Sequence, residues 1–228
     1  WRVDSAGCGG RIVGVVTRTE SSGIERPSMV GAYFHAAGLS AFTGVPVHEL
    51  TNGTAAVEDI WGPGAAAMAA QLAAVSEAER IDALETQLLT RLRAPRGSHD
   101  TVDVPGLATV IERRGGQVTI EQLAFDAGIS RQHLTRLFRE RVGVTPKLYA
   151  RPARFRSGLA CADSGATVDW ARAALELGYA DQSHLIAEFK EFSGPTPQQF
   201  AARRWLHPFV ERAVHSSLRT SIATGRVS

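Results

Sequence analysis

The chain has 228 residues, 44% of them hydrophobic, with 25 basic and 23 acidic side chains for a formal net charge of +2. That length buries a sizeable core and fits one large or two small domains, of which two is the expectation. No stretch approaches the ~20 apolar residues that span a bilayer, so a transmembrane helix is excluded, and the near-neutral charge does not by itself announce a nucleic-acid partner.

Two cysteines, Cys8 and Cys161, stand far apart, which argues for a reducing, cytoplasmic setting over a disulfide framework. Trp1 to Gly10 lacks the apolar centre of a secretory signal, and a start at tryptophan points to further residues upstream. In chain order, Arg11 to Thr17 and Met29 to Phe34 are rich in β-branched or aromatic residues and read as strands. Leu39 to Thr43 reads as a short helical piece. Val45 to Gly64 is a loop-rich connection in which Leu50, Val57 and Trp61 look like core anchors. From Ala65 to Leu92 the pattern is helical with a break near Ser76, where Ser76 and Glu79 form a capping box. Ile81, Leu84, Leu88 and Leu89 follow at helical spacing, either packing on the N-terminal domain or forming a dimer seam.

Residues 95–103 contain Pro95, Gly97 and Ser98 and read as a linker between an N-terminal domain of residues 1–94 and a C-terminal domain of residues 104–206. Residues 207–228 read as a tail that frays. A helix from Val104 to Arg114 ends at Gly115-Gly116, and Thr119 with Gln122 supplies a capping box for the next helix. The expected fold is mainly α, with an all-α C-terminal domain behind a small α+β one.

The C-terminal domain repeats itself. Leu123 to Ser130, running on to Leu134, Phe138, Gly143, Thr145-Pro146 and Tyr149, returns as Ala173 to Tyr179, running on to Leu185, Phe189, Gly194, Thr196-Pro197 and Phe200. Each copy has a helix stopped by a glycine suited to a left-handed cap and then a second amphipathic helix, which is a helix-turn-helix. The second turn is one residue longer, because Gly128 and Gly178 lie fifty apart and Leu134 and Leu185 fifty-one. A connecting helix from Lys147 to Ala162 joins the units. Pro152 within it predicts a kink or a late start, since an internal proline removes a hydrogen bond.

Charge is distributed unevenly. Residues 131–156 carry Arg131, Arg136, Arg139, Arg141, Lys147, Arg151, Arg154 and Arg156 against the single acid Glu140. Helical periodicity from the N-cap Ser130 buries Leu134, Leu137 and Phe138 and turns Arg131, Gln132, Thr135, Arg136 and Arg139 outward. Arginine pairs with guanine, glutamine with adenine, and threonine offers a hydroxyl and a methyl, so this face suits a major groove. In the second unit Asp181 is the N-cap, and Gln182, Ser183, His184, Ile186, Ala187 and Lys190 lie on or near a less basic open face. The bland alternative is a helical hairpin whose polar face only meets water.

Gly178-Tyr179-Ala180-Asp181-Gln182-Ser183-His184-Leu185 through Phe189-Lys190, then Gly194-Pro195-Thr196-Pro197 and Phe200, resembles the signature of the AraC/XylS family of bacterial transcription regulators. Ile129-Ser130-Arg131 through Leu134, Arg136, Phe138, Val142-Gly143 and Pro146-Lys147 is similar to its first helix-turn-helix. The resemblance covers about residues 104–205. It implies two recognition helices in successive major grooves of double-stranded promoter DNA, with Gln132, Thr135, Arg136, Gln182 and His184 on bases. Ser130, Arg131, Arg139, Lys147, Ser183 and Lys190 are assigned to phosphates. As further partners it implies a second copy of the chain, a small-molecule effector at the N-terminal domain and, for an activator, RNA polymerase. Ile186 and Ala187 depart from the family pattern and weaken the expected reading by the second unit, and Pro152 departs from it in the connecting helix, which bears on the relative setting of the two units. Val30 to Phe34 through Gly38, Phe42, Gly44-Val45-Pro46, Glu49-Leu50-Thr51 and Asp59 to Gly62 are similar to an N-terminal domain attached to some family members, expected here as a shortened sensor.

No His-Glu-x-x-His, paired CxxC, phosphate loop or Gly-x-Ser-x-Gly occurs, so no enzyme, cofactor or metal site is expected. Two rivals from other classes are a DNA-repair alkyltransferase using Cys8 as acceptor and a helical protein-interaction module.

Overall fold

A computed structural model describes residues 11–13, 15, 30–76, 78–92, 102–163 and 168–203. Most of the linker 95–103, the tail 207–228 and Cys8 lie outside the described residues. The chain divides into two compact units, Trp1–Arg151 and Pro152–Ser228.

In the first unit β1 (Arg11–Val13) pairs antiparallel with β2 (Thr54–Ala56), Ile12 opposite Ala55. Of the stretch read as the second strand, the described residues Val30 to Phe34 are not that partner. Residues 31–34 alternate exposed and half-buried as a strand would, but their backbone joins no ladder, and Val30 and Ala32 simply pack on the apolar core. The stretch read as loop, Val45 to Gly64, holds the 3-10 helix Val47–Leu50, β2 and α1 (Val57–Trp61). Leu50 and Val57 are buried, and half-buried Trp61 donates its indole N–H to the Phe42 carbonyl at 2.8 Å.

The helical stretch is α2 (Gly64–Ala74) and α3 (Arg80–Arg91). Half of the Ser76–Glu79 box forms at the break: the Glu79 carboxylate accepts from the Ser76 amide at 3.1 Å and from its hydroxyl at 2.6 Å, while the Glu79 amide donates to the Ser76 carbonyl and not to its hydroxyl. Leu84 and Leu88 join Ile12, Leu50, Val57, Met68 and Leu72 in one core. Ile81 and Leu89 stay exposed.

α4 (Val104–Arg113), α5 (Ile120–Asp126) and α6 (Arg131–Arg141) complete the first unit around Val104, Ala108, Ile111, Leu123, Leu134, Leu137 and Phe138. Ala37 belongs to the same core, and the 3-10 helices Gly38–Ala41 and Val47–Leu50 pack on α6. α7 (Pro146–Asp163) runs on into the second unit, which adds α8 (Trp170–Glu176), α9 (Gln182–Ser193) and α10 (Pro197–Arg203). α7 begins at Pro146 and contains Pro152 in its interior, so the late start expected at Pro152 does not occur.

The repeated Thr-Pro pair has a physical explanation. Proline suits the first helical position, where its missing N–H costs nothing, and the preceding threonine caps. Thr145 accepts from the Leu148 amide at 3.2 Å at the head of α7, and Thr196 from the Gln199 amide at 3.1 Å at the head of α10. Among the described residues no helix is long and apolar enough to cross a membrane.

Candidate nucleic-acid interface

The two repeats share one local construction. α5 ends in a cap where Gly128 takes φ 67°, its amide donates to the Phe125 carbonyl and the Ile129 amide to the Ala124 carbonyl, both at 3.0 Å. α8 ends identically at Gly178, φ 77°, with the amides of Gly178 and Tyr179 donating to the Leu175 and Ala174 carbonyls at 3.1 and 2.9 Å. Glycine fits because a side chain is strained at such φ. The second helix then starts from a side-chain cap in both units. Ser130 Oγ accepts from the His133 amide at 3.2 Å, and Asp181 Oδ1 from the His184 amide at 2.8 Å. Thr119 likewise caps α5 through the Gln122 amide at 3.1 Å. The Gln122 side chain completes no box, because it donates to Asp126 at 2.7 Å instead.

On α6 the buried face is Leu134, Leu137 and Phe138. Arg131, Gln132, Arg136 and Arg139 are exposed and Thr135 is half-buried, so the open face is the one periodicity assigns. Its arginines are not equivalent. Arg131 meets Glu121 of α5 at 2.5 Å, and Arg136 holds both oxygens of Glu140 at 2.9 and 3.0 Å. Ser130 is exposed at the helix start, and Lys147 is exposed in the first turn of α7.

On α9 the buried face is Leu185, Glu188 and Phe189. Gln182, Ser183, His184, Ala187 and Lys190 are exposed. Ile186 is half-buried against the core of Ala174, Leu177, Tyr179 and Leu185, so it sits at the edge of the core and off the open face. Half-buried Cys161 packs on the same core. Each unit thus brings its predicted base readers together on the first two turns of its second helix, while Arg139 and Lys190 lie in the third turn and Lys147 on α7.

A helix-turn-helix domain family matches residues 123–203, from the middle of α5 to the end of α10. Residues 123–203 form a helix-turn-helix domain. Solved structures similar to the chain include a probable AraC family transcriptional regulator from Rhodopseudomonas palustris, 25% identical, covering 43% of this chain and 93% of that one with a TM-score of 0.39. An AraC-type regulator from Chromobacterium violaceum is 20% identical, covering 44% and 89% with a TM-score of 0.39. The DNA-binding domain of AdpA, solved with a target DNA, is 22% identical, covering 48% and 92% with a TM-score of 0.38. Among curated proteins none matches the chain significantly.

Within the helix-turn-helix domain, sequence reasoning missed the residues that pair with two of the candidate DNA-contacting arginines. Glu121 and Glu140 pair with Arg131 and Arg136, and the (i, i+4) spacing of Arg136 and Glu140 was a usable signal. Glu188 is buried, 3% exposed, and accepts from the Tyr179 hydroxyl at 3.0 Å. Helical period was a usable signal here too, because Glu188 takes in the second unit the place that buried Leu137 takes in the first. Hydrogen bonding holds the Glu121 carboxyl below its ordinary range, first to its own backbone amide at the head of α5 and then to Arg131.

Proposed function

We propose that the chain is a sequence-specific, DNA-binding transcription regulator that lays α6 and α9 in successive major grooves of promoter DNA. The observation that carries this reading is the duplicated geometry: two capped second helices, each exposing residues that can read base edges on its first two turns. A helix-turn-helix places the N-terminal part of its second helix against base edges. Gln132, Thr135 and Arg136 are the readers on α6, Gln182 and His184 on α9. Ser130 keeps its hydroxyl proton for a phosphate while its oxygen caps the helix. Arg131, Arg139, Lys147, Ser183 and Lys190 surround the readers with phosphate donors.

The test is a footprint of the full chain on the DNA upstream of its own coding sequence, at two salt concentrations. Two protected patches about 10 base pairs apart on one face of the duplex are expected, for contacts one turn apart, weakening steeply with salt. Binding that lacks both sequence preference and salt dependence would sink the reading and favour a protein-interaction module.

Homodimerisation, an effector at the N-terminal half and contact with RNA polymerase extend the same reading. The N-terminal half holds a small apolar cavity of about 50 Å³ between Ile12, Phe34, Leu39, Trp61 and Leu84. Ligand sites measure roughly 300–1,000 Å³, so an effector would have to open it.

A further inference from the structure

In the second unit one aromatic ring touches three side chains that differ in chemistry. Tyr179, 5% exposed, follows the cap glycine between α8 and α9. Its hydroxyl donates to the buried Glu188 of α9 at 3.0 Å. The Arg154 guanidinium of α7 lies over the ring, 5.4 Å from its centroid, and the Arg154 Nε is buried with no hydrogen-bond partner among the described residues. The His184 imidazole packs on the same ring edge-on, centroids 5.3 Å apart and planes at 85°.

The chemistry of this group is asymmetric. Tyr179, Glu188 and Arg154 are fixed by burial, by a hydrogen bond to a carboxylate and by a cation over a ring. His184 is exposed and sits on the first turn of α9, with its backbone amide on the Asp181 cap. The hydrogen bond to Glu188 fixes the tilt of the Tyr179 ring, and the His184 imidazole lies edge-on against that fixed ring. Apolar packing alone would require only a ring at this position; the hydroxyl set on a buried carboxylate adds an orientation.

We propose that Tyr179 is the positioning residue of the second recognition helix, its Glu188-anchored ring presenting the His184 imidazole in one orientation for base reading. This rests on α9 being a recognition helix. Glu188 acts through Tyr179, and neither touches DNA.

The experiment measures the full chain against a binding site taken from its footprint, in which each base pair is replaced in turn. Wild type is compared with His184→Ala, Tyr179→Phe and Glu188→Gln, with thermal melting and the salt slope recorded for each. His184→Ala is expected to lose discrimination at one base pair by about tenfold. Tyr179→Phe, which keeps the ring, is expected to lose at least about threefold at that same pair with the salt slope unchanged, because phosphate contacts are not involved. Glu188→Gln retains an acceptor for the hydroxyl and is expected to keep more of the preference than Tyr179→Phe.

Full wild-type discrimination in Tyr179→Phe, beside its loss in His184→Ala, overturns the positioning role and leaves α9 as a recognition helix. Loss in Tyr179→Phe with none in His184→Ala overturns it too, since the ring would then act through another residue. Absence of any base preference in the wild type overturns both this inference and the reading of α9. Equal losses at every base pair in Tyr179→Phe, with a lowered melting temperature, would mark a structural role only and overturn the proposal.

Discussion

Two of the three exposed arginines on α6 already hold a carboxylate, and magnitudes decide what that means for DNA. A surface (i, i+4) pair such as Arg136–Glu140 contributes about 0.3–0.5 kcal/mol, whereas a bidentate arginine on guanine discriminates by about 1–3 kcal/mol. If α6 reads DNA as proposed, a pair this weak would yield to a base. Arg136→Ala should cost about 1–3 kcal/mol and relax preference at one base pair; equal weakening on all sequences in a titration would instead place Arg136 on phosphate. Glu140→Gln removes a negative charge from the contact face, so it should tighten binding severalfold on every sequence and steepen the salt slope by up to about one unit, read by fluorescence anisotropy across a salt series. Glu121 carries the pH dependence of the α5–α6 contact. Its folded value is lowered from the ordinary 4.5, so its contribution is complete above that value and is lost only as pH falls through the lowered one. Carboxyl chemical shifts of Glu121 should show it ionised after ordinary glutamates have protonated.

At the scale of elements, what the sequence made legible is what is decided within four residues. Ser130, Asp181 and Thr119 cap their helices as their identities suggest, and Gly128 and Gly178 end the preceding ones, because caps and C-terminal turns close over short loops. The open faces of α6 and α9 were legible for the same reason, helical period being local. Asp181→Ala should accordingly cost about 0.5–2 kcal/mol in urea unfolding and leave the base preference of α6 intact. What was not legible needs partners distant in sequence. The partner of β1 is β2 and not the more strand-like Val30 to Phe34, because pairing is settled by the packing of Ile12, Leu50 and Val57 in one core. Ile186 was read as on or near the open face of α9, and which of the two holds is decided by Ala174, Leu177, Tyr179 and Leu185, against which it is half-buried. Pro152 was read as a kink in α7 or a late start for it, and Thr145 and Pro146 supply a complete helix start before it, which removes the late start.

At the scale of the whole molecule, the first helix-turn-helix shares one compact unit with the N-terminal half. Thr51 donates its hydroxyl to the Gly143 carbonyl at 2.7 Å across 92 residues of sequence, just beyond the end of α6. Gly143 has φ 99°, and a methyl group there would come within 3.0 Å of Thr51 Oγ1 and 3.1 Å of Val47 Cγ1. Gly143→Ala should therefore destabilise by more than the roughly 1–2 kcal/mol that left-handed backbone alone costs, measured by urea unfolding. Removing residues 1–103 should lower the stability of what remains, because it strips Ala37 from the core around Phe138 and Val47, 1% exposed, from the end of α6. Equal unfolding midpoints for the short and full chains would contradict that.

The Thr51–Gly143 bond also bears on how such a protein can be recombined. A chimera joined at residues 95–103, where composition invites a cut, would inherit α6 without the Val47–Leu50 turn packed against it. The new N-terminal half would have to bring its own side chain to the groove beside Gly143. Exchange of the N-terminal half is thus constrained by a seat of a few residues, and a working graft would carry residues 36–51 along with the helices they support.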